Sequence, residues 1–317
     1  MKKLFIMVSA LSAAVFSSAK ADISASGSYG FHAISGGDVL GSDTSSATNT
    51  LFMQGGGLSF AMSTTTAGGM TVSAGAGVSL DSNDADGSKG VTGLANVTFA
   101  ADGFSLQVGD VDVVGSGTGH VGNVASDVVD NGGHTATGIS TGLTDTEGYG
   151  FVASTSVGGA SVSFAYLLDK NHSAINNAET SSGDYASGVS VSVPMGDMTV
   201  GVGYSSTTGG TSTNETTTGI SVAYPVGGMT LKLGYESTDE STDSTTAAGS
   251  ISGSLDADTT WAIGYTDGEA GSSASTRSEA KLTRSLGGGV SVYAEIQNTS
   301  GTGTSGTNMA VGTTVAF

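Results

Sequence analysis

Val111 to His120 reads Val-Asp-Val-Val-Gly-Ser-Gly-Thr-Gly-His, an apolar run entering glycines, which cradles a pyrophosphate when a helix follows. Here His120 stands where the third glycine should be, and the chain continues in Gly, Asn and Asp without a helical pattern. No nucleotide site is assigned, and the stretch reads as a flexible loop. Four histidines, His32, His120, His134 and His172, show neither the i, i+4 spacing nor the neighbouring carboxylates of a helical metal site. There is no cysteine, so thiol catalysis, disulfides and Cys-ligated zinc are excluded. No G-x-S-x-G elbow stands between a strand and a helix. Asp81, Asp84 and Asp86 cluster, as do Asp239, Glu240 and Asp243. Hard oxygen ligands of this kind could hold a loop-bound Ca2+, the one cofactor to consider, but neither run completes an EF-hand pattern and solvated acidic loops explain both. No catalytic residue is assigned.

What remains is a set of charged residues at even spacing: Lys232 with Glu236, then Arg277, Glu279 and Lys281, and Glu295. Even spacing on a strand puts side chains on one face. The elements that would carry them are β-hairpins, written most clearly from Gly188 to Tyr204 and again from Gly219 to Tyr235. In the second, Met229, Leu231, Leu233 and Tyr235 alternate with Thr230, Lys232 and Gly234, giving one oily and one wet face. The only two prolines, Pro194 and Pro225, fall at the connection of each hairpin, where a ladder donor is not needed. The turn-then-strand phrase recurs at Gly68, Asp102, Gly158 and Gly287, so the chain is a hairpin repeat.

The composition fits stripes rather than a packed interior. Hydrophobic residues other than Gly are 37%, and 52 of the 317 residues are Gly, more than twice the usual share of about 7%. Met1-Lys2-Lys3, the apolar run Leu4 to Phe16 and Ala19-Lys20-Ala21 have the three parts of a secretory signal, predicting cleavage after residue 21 and a mature domain 22–317. Nothing else is apolar over the ~18 residues of a transmembrane helix, so a membrane would be crossed by strands. Without Lys2, Lys3 and Lys20 the 9 basic residues become 6 against 28 acidic, a net −22, which excludes nucleic acid as a partner and favours cations.

Period-two stripes give sixteen strands, near 22–33, 50–63, 70–80, 91–100, 104–111, 147–157, 160–169, 184–193, 198–207, 216–224, 229–238, 247–255, 259–267, 277–286, 290–299 and 308–317. Short Gly-rich connections alternate strictly with longer ones rich in Asp, Ser and Thr, among them 239–246, 268–276 and the longest, 112–146. That alternation predicts an all-β, transmembrane, antiparallel up-and-down barrel with all tight turns at one end. Outward residues would include Ile23, Tyr29, Phe31, Phe164, Tyr166, Leu168, Val191, Trp261, Ile263 and Val311, with Ser24, Ser26, Ser161, Ser190 and Thr314 facing an aqueous lumen. Tyr204, Tyr235 and Tyr265 sit near the long-loop end as a girdle. Lys232, Glu236, Arg277, Glu279, Lys281 and Glu295 take the wet parity. Arg284 does not, but lies beside a turn, where a long side chain reaches the interface.

The last strand, Asn308 to Phe317, ends in Phe after alternating apolar residues, with Thr313 as a departure. It resembles the C-terminal assembly signature of outer-membrane barrels. With the signal peptide and the hairpin order, the whole mature chain resembles Gram-negative general porins of the sixteen-stranded kind, closest to the alphaproteobacterial ones. The resemblance implies short periplasmic turns, long extracellular loops, homotrimers, and partnership with outer-membrane lipid, lipopolysaccharide and the barrel assembly machinery. It also implies that the 112–146 loop folds into the lumen, bringing Asp127, Asp130, His120 and His134 to the constriction; the basic cluster usual opposite that loop is sparse here. The function expected is passive diffusion of ions and small hydrophilic solutes in the outer membrane of a Gram-negative bacterium, preferring cations. A secreted acidic Gly/Ser/Thr-rich structural or adhesive β-repeat protein is the alternative.

Overall fold

The computed structural model describes residues 22–36, 51–79, 91–92, 96–112, 147–169, 185–208, 215–239, 242–301 and 306–317. Their strands are β1 (Asp22–Gly36), β2 (Leu51–Thr65), β3 (Thr71–Ser79), β4 (Val91–Thr92), β5 (Asn96–Ala101), β6 (Phe104–Asp112), β7 (Glu147–Val157), β8 (Ala160–Asp169), β9 (Tyr185–Met195), β10 (Met198–Thr208), β11 (Glu215–Val226), β12 (Met229–Asp239), β13 (Ser244–Ser254), β14 (Thr259–Ala270), β15 (Ser273–Gly287), β16 (Val290–Gly301) and β17 (Gly306–Ala316). β4 and β5 both pair with β3, through Gly77↔Thr92 and Ala74↔Val97, and are two pieces of one stave. The sixteen staves therefore match the sixteen period-two stripes. Each pairs antiparallel with its sequence neighbours, and β1 pairs with β17, so the sheet closes and no edge is left.

Local chemistry explains the turns. At Gly158-Gly159 and Gly227-Gly228 both residues have positive φ (60° and 86°, 55° and 87°), the twist that matches a two-residue hairpin and that only glycine adopts without strain. Pro194 and Pro225 are not in the connections but on the rungs just before them, paired with Thr199 and Thr230. An eleven-residue strand such as β9 rises roughly 36 Å, and a tilt of about 40° leaves roughly 28 Å of height, close to the apolar band of a transmembrane barrel.

The outward parity carries exposed apolar side chains, among them Ile23, Phe164, Val202, Ile220, Leu233 and Ile263. Tyr204, Tyr235 and Tyr265 are also exposed, each six residues beyond the first residue of its strand, and so form a belt at one height. Phe151, Phe164, Tyr166 and Tyr185 form a second outward aromatic group, with Tyr166 stacked on Tyr185 at 6.4 Å. The outward Thr313 gives its hydroxyl proton to the Ser291 carbonyl at 2.9 Å, which spares that apolar face an unpaired polar group. Arg284 turns to the tight-turn end, donating to Thr259 at 2.9 Å and pairing with Asp256 at 3.4 Å. The Asp256 carboxyl is held below its ordinary value, first by the Asp258 amide, then by the Thr259 hydroxyl.

Two expectations are corrected. Residues 268–276 are not a long loop: β14 and β15 continue through the rungs Gly268↔Ser275 and Ala270↔Ser273, leaving a turn at 271–272. Leu167, on the lumen parity of Ala165, is fully buried with Ala165, Ala186 and Val111, where a uniformly small or polar wall was expected. Just beyond it the ladder steps over Leu168, pairing Gly150 with Leu167 and Tyr149 with Asp169.

Candidate functional site

Strands β15, β16, β17 and β1 carry the densest set of polar side chains on the lumen face. The ladder sets their order: Glu279 lies opposite Gln297 and Lys281 opposite Glu295, while Gln297 faces Asn308 and Tyr293 faces Gly312, which in turn faces His32. Cross-strand neighbours of this kind are about 5 Å apart, so unlike charges pair and like charges would repel.

Arg277 Nε lies 2.8 Å from Glu279 Oε1, and both side chains are only 4% exposed. Gln297 donates to the same oxygen at 3.1 Å. Two rungs away, Lys281 Nζ is 3.3 Å from Glu295 Oε2, whose side chain is fully buried, and 5.2 Å above the Tyr293 ring. The ammonium is therefore held by a carboxylate and an aromatic face together. The Tyr293 hydroxyl shares a hydrogen bond with His32 Nδ1. Gly312 makes that contact possible, because a Cβ there would stand 2.6 Å from His32 Nδ1 and 2.7 Å from the Tyr293 oxygen.

Of the residues expected at the site, Lys232 and Glu236 lie on β12, Arg277, Glu279 and Lys281 on β15 and Glu295 on β16, all on the lumen parity. The structure brings the last four together and keeps Lys232 and Glu236 on a separate part of the wall. Asp127, Asp130, His120, His134, Asp81, Asp84 and Asp86 lie outside the described residues. The chain leaves and re-enters the wall around 113–146 at one rung, Asp112↔Glu147. Sequence reasoning missed His32, Tyr293, Gln297 and Asn308 as lumen residues. Their signal was parity: His32 follows the outward Phe31, and Tyr293 stands two before Glu295.

On the described wall Lys232, Arg277 and Lys281 are matched in number by Glu236, Glu279 and Glu295, while Glu215, at the long-loop end of β11 on the parity of Thr217, and Asp22, at the start of β1 on the parity of Ser24, add two carboxylates. Among the described residues no cluster of three His, Asp or Glu fits a metal ion.

The Gram-negative porin family matches residues 7–304 of this sequence. This chain belongs to that family. Comparison with curated proteins gives no match. Solved porins share its fold at low identity. An anion-selective porin from Comamonas acidovorans has 13% identity and a TM-score of 0.68, covering 94% of this chain and 100% of that one. A Salmonella typhi OmpF complexed with daunomycin has 14% identity and a TM-score of 0.68 over 93% and 97%. The trimer form of OmpT from Vibrio cholerae has 11% identity and a TM-score of 0.68 over 94% and 99%. The family and the closed barrel are those of outer-membrane channels rather than enzymes, and they lend nothing to a secreted repeat protein.

Proposed function

We propose that this porin is a cation-preferring, water-filled diffusion channel for ions and small hydrophilic solutes, exported through the periplasm behind the 1–21 signal. The observation that carries the selectivity is the matched wall. Arg277 and Lys281 are each paired with a carboxylate, Glu279 and Glu295, and Lys232 is matched in number by Glu236, so these cations cannot reverse a chain whose mature charge is −22. Carboxylates around the entrance, with Glu215 on the rim, then concentrate cations. Selectivity does not follow from the fold, since the Comamonas relative is anion-selective.

The test is a reversal potential in a KCl gradient across a planar bilayer. Cation preference is expected at about 0.1 M salt, where the Debye length is about 10 Å, fading towards 1 M, where it is about 3 Å. Anion preference at low salt would overturn the reading and place Arg277 and Lys281 in control of the path.

Two further parts of the proposal rest on the chain's layout. The residues from 112 to 146 are taken to fold into the lumen, with Asp127 and Asp130 at the narrowest point. Loops of this length are uncommon and usually functional, and this one leaves from and returns to a single rung of the wall. Removing Gly115 to Gly133 is expected to raise single-channel conductance and the size limit for sugars. Unchanged values would put the loop outside. Assembly is proposed as a homotrimer in outer-membrane lipid and lipopolysaccharide, after insertion by the barrel assembly machinery. The OmpT relative has a trimer form, and β3 presents the small Ala74 and Ala76 on the outward parity, paired with Met62 and Phe60, where another subunit could approach closely. A Ca2+ held by Asp81, Asp84 and Asp86 remains a proposal from sequence alone.

A further inference from the structure

On the lumen face of β12–β15, beside Lys281, the wall is indented by a recess of about 370 Å³, within the size range of small-molecule sites. Ala262 is its floor. The side chain stands between Ser252 and Lys281 in the ladder, so a methyl group lies where its neighbours project further. The rim is made of hydroxyls from four adjacent strands, Thr230 opposite Ser252 in one row, and Ser254, Thr260 and Thr283 side by side in the next lumen-facing row. Neighbouring strands are about 4.8 Å apart, so these hydroxyls form a grid rather than a single contact.

Some hydroxyls elsewhere on the lumen face satisfy one another, as in Ser291 with Thr314 at 2.6 Å, Ser154 with Ser163 at 2.8 Å and Thr217 with Thr238 at 3.0 Å. Those of Thr230, Ser252, Thr260 and Thr283 have no side-chain partner among the described residues. Each offers a donor and an acceptor to whatever occupies the recess. At its edge the Lys281 ammonium is fixed by Glu295 and by the Tyr293 ring, which leaves an oriented donor whose charge is already compensated.

We infer that this recess is a subsite for neutral polyhydroxylated solutes, a sugar-binding station on the tight-turn half of the channel wall. The chemistry selects the class. An anion would need uncompensated positive charge and an apolar solute would strand the hydroxyls, whereas a sugar can exchange hydrogen bonds with the whole grid and still leave, because no single contact is strong. The inference rests on the reading of the lumen as a water-filled path.

The experiment uses the full-length folded barrel in planar bilayers with maltotriose as probe, and triethylene glycol as a flexible solute with far fewer hydroxyls. Wild type is expected to show saturable, maltotriose-dependent current interruptions that triethylene glycol does not produce. Thr260→Val/Thr283→Val should shorten their lifetime by about tenfold, the effect of losing two modest hydrogen bonds. Ala262→Leu, which fills the recess without touching a hydroxyl, should shorten it comparably. Saturation-transfer NMR of maltotriose with the same detergent-folded proteins, each shown to be folded by its heat-dependent gel shift, reads binding without conduction. A barrel that conducts nothing but transfers saturation, less so in both variants, would defeat the channel reading while upholding the subsite. Sugar effects equal in wild type and both variants, or equal for the two probes, would overturn the subsite and leave the channel standing.

Discussion

Removal of Phe317 is expected to cut folded, heat-modifiable barrel in the outer membrane by about tenfold or more while export continues, because a sheet that fails to close keeps two unpaired edges. The residue completes the seam. Its amide donates to the Gly27 carbonyl at 2.9 Å and its carbonyl accepts from the Gly27 amide at 2.8 Å, one rung beyond Ser28↔Ala316, where the pairing of β1 with β17 begins. Its ring lies over Gly27, since a Cβ there would stand 2.5 Å from Phe317 Cε2 and 2.9 Å from Leu58 Cδ2. The seam therefore depends on a bare glycine as well as on the aromatic ring, and Gly27→Val should show a smaller loss of the same kind. Quantifying the heat-shifted band in membrane fractions, with the periplasmic pool as the export control, checks both. Normal amounts of folded barrel without Phe317 would mean that closure is secured by the other rungs alone.

The barrel was legible because its outward face must be apolar, and that single demand writes a period of two into every stave. Ile263, Tyr265, Leu282, Ile296 and Val311 are outward both by pattern and by exposure. Where the demand lapses, so does legibility. Gly268 to Ala270 and Ser273 to Thr276 look like loop because, beyond the apolar band, both faces of the ladder are wet and nothing forces alternation. Leu167 escaped the reading differently. Alternation already puts it on the lumen side with Ala165, but parity gives only a side chain's face, not its burial, so an apolar residue packed against Ala165, Ala186 and Val111 inside a wet wall was not foreseen.

The site was legible to the same depth. Parity placed Arg277, Glu279, Lys281 and Glu295 on the wet side, since Lys or Arg facing lipid at mid-depth would cost about 2–4 kcal/mol. Parity cannot say which charges meet, because that depends on the register between β15 and β16. One rung of slip would bring Glu279 opposite Asn298 and separate Lys281 from Glu295. His32 was out of reach for another reason. It meets Tyr293 across β17, through a closure that joins the two ends of the chain.

Glu279→Gln is expected to give the largest loss of stability of any single change on the lumen wall. The carboxylate lies between Arg277 Nε and Gln297 Nε2, with both members of the ion pair almost wholly buried. Burying a guanidinium is tolerable only while its countercharge is present. Deleting one member of such a pair costs about 3–5 kcal/mol, whereas replacing both by packed apolar groups costs little. Glutamine keeps the shape and can still accept from Gln297, so the effect isolates charge from packing. The double variant Glu279→Gln/Arg277→Met should regain most of the loss, and the exposed pair Arg284–Asp256, with side chains 54% and 53% exposed, should show no comparable penalty when broken. Selectivity reports the same event from the solvent side. In the single variant the Arg277 charge loses its Glu279 countercharge, so the reversal potential at low salt should move towards anions, and the double variant should restore it. Urea unfolding of the detergent-folded barrel, read by the heat-dependent gel shift, measures the stability arm. A single variant as stable as wild type would show that Arg277 draws its compensation from elsewhere on the lumen face, and the selectivity shift should then vanish with it.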